Sequence, residues 1–161
     1  MLRLSKLADY AVVVLVRLSH SDGCQTSPGV ASLTGLPEPT VAKVLKTLAA
    51  AGLVTSQRGA RGGYRLARTL ADIPVAAVVA AVDGPIAITA CTEGGANNCE
   101  AEPLCPVRGR WDPVNHAVVQ ALSRISLADM TAMTPRPRSV APRATNHSSG
   151  AAATLVPLAS E

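Results

Sequence analysis

The near absence of aromatic side chains is the feature that most restricts how this sequence can fold. Its 161 residues include no Phe, one Trp and two Tyr, so a hydrophobic core has to be built from Ala, Val and Leu. Small aliphatic side chains suit closely packed helices, whereas strands are enriched in aromatic and β-branched residues. The composition therefore predicts a mainly α-helical protein, which is long enough to bury a core without a disulfide or a metal.

Apolar residues recur at helical spacing in the first fifty residues and predict three helices. The first begins after Ser5, the second spans 28–34, and the third spans 39–51 after a break at 35–37. Two helices joined by a tight, glycine-containing turn have the arrangement of a helix-turn-helix. The outer face of the third helix is small, polar and basic and suits a DNA major groove, although an ordinary exposed amphipathic helix has the same pattern. The candidate DNA contacts on this face are Thr40, Lys43, Lys46 and Thr47.

A basic hairpin is predicted directly after the third helix. Residues 53–57 and 64–66 have the pattern of strands, and the glycine-rich segment between them carries Arg58 and Arg61. A hairpin in this position predicts a winged helix, because arginines at its tip suit the narrow minor groove of DNA. Solvated arginines on an ordinary hairpin are the alternative. We predict that residues 1–85 form a winged helix-turn-helix DNA-binding domain, with both arginines as further DNA contacts.

Charge divides the chain into three parts. Residues 1–68 have a net charge of +6, residues 69–133 one of −4, and residues 134–161 one of +2. A basic part followed by an acidic part is typical of a nucleic-acid reader that carries a separate module, although a solvated surface without a partner has the same pattern. The third part is rich in Pro, Arg, Ser and Ala without periodicity, which predicts a disordered tail.

Three cysteines, Cys91, Cys99 and Cys105, lie within fifteen residues of a polar, glycine-containing loop. Their spacing is looser than in common structural zinc sites and bacterial ferredoxins. Thiols in a reducing compartment more often bind metal or sense redox state than form structural bridges, although three small residues without a ligand are the alternative. An odd number of thiols implies a fourth ligand from elsewhere, a resolving partner or an open position. Cys24 is isolated, and His116 lies about 16 Å beyond Cys105 along a continuous helix, so neither is predicted to join the site.

Apolar segments flank this loop on both sides. Residues 86–89 predict a short strand before the cysteines, and residues 113–133 predict one long helix after them. The apolar stripe of this helix is broader than one small domain needs, which predicts pairing with a second copy, although the helix could fold back on its own domain. We predict that residues 86–133 form a cysteine loop and a dimerisation helix.

Signals for a membrane, for secretion and for catalysis are missing from the sequence. The longest uncharged apolar run covers the ten residues 73–82, about half of a membrane span. Asp9 and Arg17 interrupt the first apolar stretch, which argues against a signal peptide. No Ser/His/Asp set, carboxylate pair or phosphate-binding glycine motif stands out. We therefore expect a cytoplasmic protein that is not an enzyme and has neither a membrane partner nor a small-molecule substrate.

Several motifs occur together in unbroken order: MLRLSKLADYA at 1–11, GLV at 52–54, RGARGGY at 58–64, and the three loop cysteines. This combination, over about residues 1–133, resembles the IscR/NsrR group of winged-helix iron–sulfur regulators, and within it the proteobacterial regulators of the SUF iron–sulfur assembly operon. The resemblance implies a homodimer that binds double-stranded operator DNA, acts as a repressor and carries a [2Fe–2S] or [4Fe–4S] cluster. The residues that match the three thiolate ligands are Cys91, Cys99 and Cys105.

The fourth ligand departs from the IscR pattern. Where IscR-like proteins have a histidine three residues beyond the last cysteine, this sequence has Arg108. NsrR-like members use an aspartate of the first helix, supplied by the other subunit, and Asp9 matches that place. A carboxylate that is only favoured by the helix dipole is the alternative. Two other functions stay open: a nitric-oxide- or redox-responsive repressor whose cysteines form a thiol or zinc switch, and an iron–sulfur electron-transfer protein.

Overall fold

This computed structural model describes residues 4–59, 62–96 and 98–132. Their regular secondary structure consists of helices and one small antiparallel hairpin. This architecture confirms the predicted fold class. None of the helices formed by these residues could span a lipid bilayer. The tail predicted for 134–161 lies outside them. The elements are α1 (Lys6–Ser19), α2 (Ser27–Thr34), α3 (Glu38–Ala50), β1 (Val54–Gln57), β2 (Gly63–Leu66), a 3₁₀ turn (Leu70–Asp72), α4 (Val75–Asp83), a second 3₁₀ turn (Glu102–Leu104), α5 (Asp112–Ser123) and α6 (Leu127–Ala132).

The hydrophobic core lies between α1, α3 and α4, and its buried apolar side chains are all aliphatic. Each helix contributes residues three or four positions apart, so that one face of each helix is removed from water. Tyr10 and Tyr64 are half-buried at the edge of the core, and Trp111 is exposed. The composition therefore predicted the core correctly. Its largest fully buried side chains include Leu15, Leu45, Leu48, Ile73 and Leu127.

Local capping signals place the first helices where the sequence predicts them. The hydroxyl of Ser5 accepts a hydrogen bond from the N–H of Ala8 (3.0 Å) and donates one to Oδ1 of Asp83 (2.6 Å). It thus begins α1 and also ties that end of α1 to the last residue of α4. Gly35 ends α2 with φ 71°, a left-handed conformation that favours glycine, and its N–H donates to the carbonyl of Ala31. The turn into α3 is the one predicted for a helix-turn-helix.

The hairpin is fastened to the helix-turn-helix by a backbone contact that the sequence analysis did not predict. Strands β1 and β2 pair with Val54 opposite Leu66 and Gln57 opposite Gly63. Tyr64 also exchanges two backbone hydrogen bonds of 2.8 Å with Gln25, which lies two residues before α2. Each residue donates its N–H to the carbonyl of the other. Because two bonds join β2 to the chain just before α2, the hairpin is fixed relative to that helix.

A side chain at Gly63 should break this contact. Gly63 has φ 153°, and a Cβ atom there would lie 2.6 Å from the backbone oxygen of Gln25. We expect Gly63→Ala to lower the free energy of unfolding by about 3 kcal/mol, measured by chemical denaturation. The matched control is Gly35→Ala, which has φ 71° but no atom within 4 Å and should cost only about 1 kcal/mol. Equal losses in the two variants would contradict the importance of the Gln25 contact.

The single long helix predicted over 113–133 is wrong, because α5 and α6 are separate helices. Between them, the carbonyl of Ile125 accepts a hydrogen bond from the N–H of Val75, and the N–H of Leu127 donates to the carbonyl of Ile73, both at 2.9 Å. These bonds pair the connecting segment with the chain around Pro74, where α4 begins. Backbone groups used in this way are not available for a continuous helix.

Ser126 and Asp129 begin the new helix α6 by capping each other. The Ser126 hydroxyl donates to the Asp129 carboxylate at 2.7 Å, and its oxygen accepts from the N–H of Asp129 at 3.1 Å. Hydrogen bonds from the side chain and backbone of Ser126 hold the pKa of Asp129 below its ordinary value. The carboxylate form is therefore favoured in the folded state. Its contribution is complete at neutral pH and is lost in acid, as the pH falls through the lowered pKa.

Candidate nucleic-acid interface and cysteine loop

Helix α3 presents a polar face opposite the residues that it buries. Its buried side chains are Val41, Val44, Leu45 and Leu48. Lys43 and Lys46 are exposed, and Thr40 and Thr47 are half-buried beside them. Hydroxyls and ammonium groups on an accessible helix face are suited to contact base edges and phosphates. The structure therefore places all four predicted residues of α3 where a ligand could reach them.

The hairpin follows α3 after one tight turn and carries a further cation. The N–H of Leu53 donates to the carbonyl of Leu48, which joins the end of α3 to the start of β1. At the other end of the hairpin, Arg58 is exposed, and the N–H of Gly62 donates to the carbonyl of Gly59 to close the tip. The predicted contact Arg61 lies outside the described residues.

The cations of this surface are free to bind an anionic partner. Lys43, Lys46 and Arg58 make no ion pair with any carboxylate in the described part of the chain. Unpaired cations on a helix and a hairpin carry positive charge that no ion pair neutralises, which favours binding to a phosphate backbone.

The loop between α4 and α5 is held against α5 by a buried amide. Asn115 is only 3% exposed; its Nδ2 donates to the carbonyl of Ile86 (3.0 Å), and its Oδ1 accepts from the N–H of Ile88 (3.1 Å). The strand predicted for residues 86–89 is wrong, because these backbone groups bond to a side chain of α5 rather than to another strand. This fixes the loop three residues before its first cysteine.

A second set of contacts continues this attachment past Cys91. The N–H of Glu93 donates to Oδ1 of Asp112 at 3.1 Å, and the Glu93 carboxylate lies 3.5 Å from Nε2 of His116. His116 was predicted to lie far from the cysteine site because only its distance from Cys105 along the helix was considered. In the structure the loop folds back, so His116 lies beside the segment that carries the first cysteine. No local sequence signal shows such a return of the chain.

The backbone around Cys91 is tightly wound. A Cβ atom on Gly95 would lie 2.7 Å from the carbonyl oxygens of both Thr89 and Ala90. The Cys91 sulfur lies 3.5 Å from the Thr89 hydroxyl. Cys91 therefore lies in a tight turn rather than in an extended segment.

The other predicted ligands are accessible but not gathered with Cys91. Cys99 and Cys105 are half-buried free thiols, as are Cys91 and Cys24. Asp9 is exposed near the start of α1, beside a cavity of about 300 Å³ that side chains of α4 also line. In the described ranges, no three His, Cys, Asp or Glu side chains are close enough together to hold a metal ion.

The chemistry of the donor set nevertheless fits an iron–sulfur cluster. Thiolates are the usual protein ligands of such clusters, and none of the three loop cysteines is consumed in a disulfide. Many metal sites form fully only when the metal binds, so separated ligands in one loop are compatible with a site of this kind. Cys24 is different, because it lies 3.6 Å from the Gln57 amide oxygen of the hairpin and belongs to another part of the molecule.

Comparisons relate the chain to known proteins. A sequence model of the family Rrf2, described as "Iron-dependent Transcriptional regulator", matches residues 4–133. The HTH-type transcriptional regulator IscR of Photobacterium profundum is 30% identical over 131 residues, covering 80% of this chain and 75% of that protein. NsrR of Geobacillus kaustophilus, also an HTH-type transcriptional regulator, is 27% identical over 131 residues, covering 80% and 89%. The solved structure of CymR, the global cysteine regulator of B. subtilis, has a TM-score of 0.63 and 27% identity, covering 84% and 100%.

Proposed function

Because the chain belongs to the Rrf2 family of transcriptional regulators, we propose that it is a repressor that senses an iron–sulfur cluster and controls genes of SUF iron–sulfur cluster assembly. DNA-binding regulation of transcription is the activity of the family, and the expectation that the chain is not an enzyme is confirmed by the same relationship. The observation that carries the finer proposal is the set of three free thiols in one loop attached to α5.

In this proposal the winged helix-turn-helix of residues 1–85 binds duplex DNA. Thr40, Lys43, Lys46 and Thr47 of α3 face the major groove, and Arg58 and Arg61 of the hairpin reach the backbone or the minor groove. The unpaired cations described above support this assignment. A regulator of this kind acts where the DNA is, so a cytoplasmic location is part of the proposal.

Residues 86–133 would hold the cluster and a second copy of the chain. Val114 on α5 and Ile125 just after that helix remain exposed, which supports a homodimer formed along α5. Cys91, Cys99 and Cys105 would bind the cluster, with Asp9 of the partner subunit as fourth ligand. The cluster, when bound, supplies iron that responds to oxidants, nitric oxide or iron supply and that ties the three thiolates together.

The chain contains a physical connection from this loop to the DNA-binding helices. The loop begins directly after Asp83, whose carboxylate accepts a hydrogen bond from Ser5 at the start of α1. Helix α1 packs on α3 through the core. A change in the loop can therefore shift α1 and, through it, the presentation of α3 to DNA.

The cluster is tested by comparing Cys99→Ser with Cys24→Ser. Both changes remove one half-buried thiol, but only Cys99 lies in the loop. After anaerobic purification, we expect Cys99→Ser to retain less than about half of the wild-type iron and sulfide, because a serine oxygen is a poor substitute for a thiolate. Cys24→Ser should match the wild type in both quantities and in its visible absorption. Full retention of the cluster in Cys99→Ser would contradict the ligand assignment.

A thiol or zinc switch is the second candidate. It is favoured by the free state of the three loop cysteines. The same preparation separates the two candidates, because a colourless, zinc-containing wild-type protein that cannot be reconstituted with iron and sulfide would support the switch and reject the cluster.

A further inference from the structure

An open apolar groove runs between α1, α2 and α6. It is lined by Val12, Val13, Val16, Leu33 and Met130, among others, and has a volume of about 500 Å³. This is within the range of ~300–1,000 Å³ found for pockets that bury small ligands. Val13, Leu33 and Met130 are 40%, 48% and 40% exposed, so three large apolar side chains at one place are left partly in water. An apolar concavity of this kind favours an apolar occupant.

The groove has a polar end as well as an apolar floor. Arg17, in the last turn of α1, and His20, directly after that helix, also line it. Arg17 makes no ion pair within the described ranges of the chain. An occupant with apolar side chains followed by a carboxylate would therefore match both parts of the groove.

One segment of this chain has that combination. After Ala132 the sequence continues through Pro-, Arg- and Ser-rich residues to Leu155-Val156-Pro157-Leu158, in which three of four residues are large and aliphatic. The sole Asp or Glu between residues 133 and 161 is Glu161, three positions after Leu158. A carboxylate at this spacing from the apolar residues can reach the Arg17 end while the leucines occupy the floor.

The connection is long enough and begins at the groove itself. Thr131, one residue before the end of α6, lines the groove. The 22 residues 133–154 separate α6 from Leu155, and at ~3.3 Å per residue they span up to about 70 Å. A domain of this size has a radius of gyration of about 14 Å, so the connection does not prevent a return to the groove.

We propose that the segment 155–161 of the same chain docks in the groove between α1, α2 and α6. Leu155 and Leu158 cover Val13, Leu33 and Met130, and Glu161 pairs with Arg17. The docked segment holds α6 against α1 and α2. This interaction is independent of any cluster, since none of the loop cysteines takes part in it.

Hydrogen–deuterium exchange of the full-length chain tests the docking. In the double variant Leu155→Asp, Leu158→Asp, the amide hydrogens of α6 and of the last turn of α2 should exchange at least about fivefold faster than in the wild type. The reason is that these helices lose a packing partner. The matched control, Ala152→Asp with Ala153→Asp, adds the same charge next to the segment and should leave the exchange unchanged. A charge swap gives a second test: Arg17→Glu and Glu161→Arg should each accelerate exchange, and their combination should restore slow exchange.

Two outcomes would overturn the proposal. If the Leu155→Asp, Leu158→Asp variant exchanges like the wild type and protection increases with protein concentration, a second copy of the chain covers the groove. If it exchanges like the wild type at every concentration, the groove stays open. Neither outcome changes the iron and sulfide content of the protein. A failure of the docking proposal can therefore be distinguished from a failure of the proposed cluster.

Discussion

Replacing Leu127 with alanine should lower the free energy of unfolding by about 2–5 kcal/mol. Leu127 is the first residue of α6 and is fully buried in the core. Its N–H also donates to the carbonyl of Ile73, so the surrounding backbone is anchored and has little freedom to collapse into the space that the smaller side chain leaves. The loss follows from the apolar surface no longer buried and from the cavity that remains.

Equilibrium unfolding in urea, followed by circular dichroism, measures this loss. The matched control is Leu104→Ala, the same chemical change at a leucine that is 93% exposed, and it should alter the free energy of unfolding by no more than about 0.5 kcal/mol. A small effect at Leu127 would mean that α6 does not pack on the core as described. The conclusion that α5 and α6 are separate helices would then also be wrong.

Reversing the charges of Lys43 and Lys46 together should weaken DNA binding by about 100-fold or more at moderate salt. Both side chains are exposed on α3, and neither forms an ion pair with a carboxylate in the described part of the chain. Lys43→Glu with Lys46→Glu removes up to two phosphate contacts and adds repulsion at the same places. Because each phosphate contact contributes about 0.9 to the slope of log K against log salt, the slope should decrease by up to about 2.

Fluorescence anisotropy at several salt concentrations measures both quantities, with a duplex selected by the full-length chain from a random pool. The control variant, Arg110→Glu with Arg124→Glu, changes the net charge by the same amount at two exposed residues outside the winged helix. Its affinity should decrease much less. If the two double variants lose affinity equally, net charge rather than the face of α3 governs binding, and the assigned interface is wrong.

Local signals in the sequence were sufficient for the helix-turn-helix and the hairpin. The start of α1 follows from the Ser5 cap, the turn after α2 from Gly35, and the strands from their pattern around a glycine-rich tip. Each of these features depends on residues that are neighbours in the chain. The candidate residues of α3 were found for the same reason, since helical periodicity alone separates its buried face from its exposed face.

The separation of α5 and α6 was decided by tertiary structure, although a local signal was present. Ser126 and Asp129 have the spacing of a helix-starting cap, but the apolar periodicity on both sides favours one continuous helix. The backbone bonds to Ile73 and Val75 settle the competition, and those residues lie about fifty positions earlier in the sequence.

The sequence by itself determined the class of fold and the aliphatic core, and it supplied the candidate residues for DNA and cluster binding. Only the tertiary structure decided that Asn115 and Asp112 hold the cysteine loop on α5, that His116 lies beside the segment of its first cysteine, and that Gln25 fastens the hairpin. The physical reason is that caps, turns and periodicity act over a few residues. Hydrogen bonds between distant segments form wherever the packed core brings their groups together.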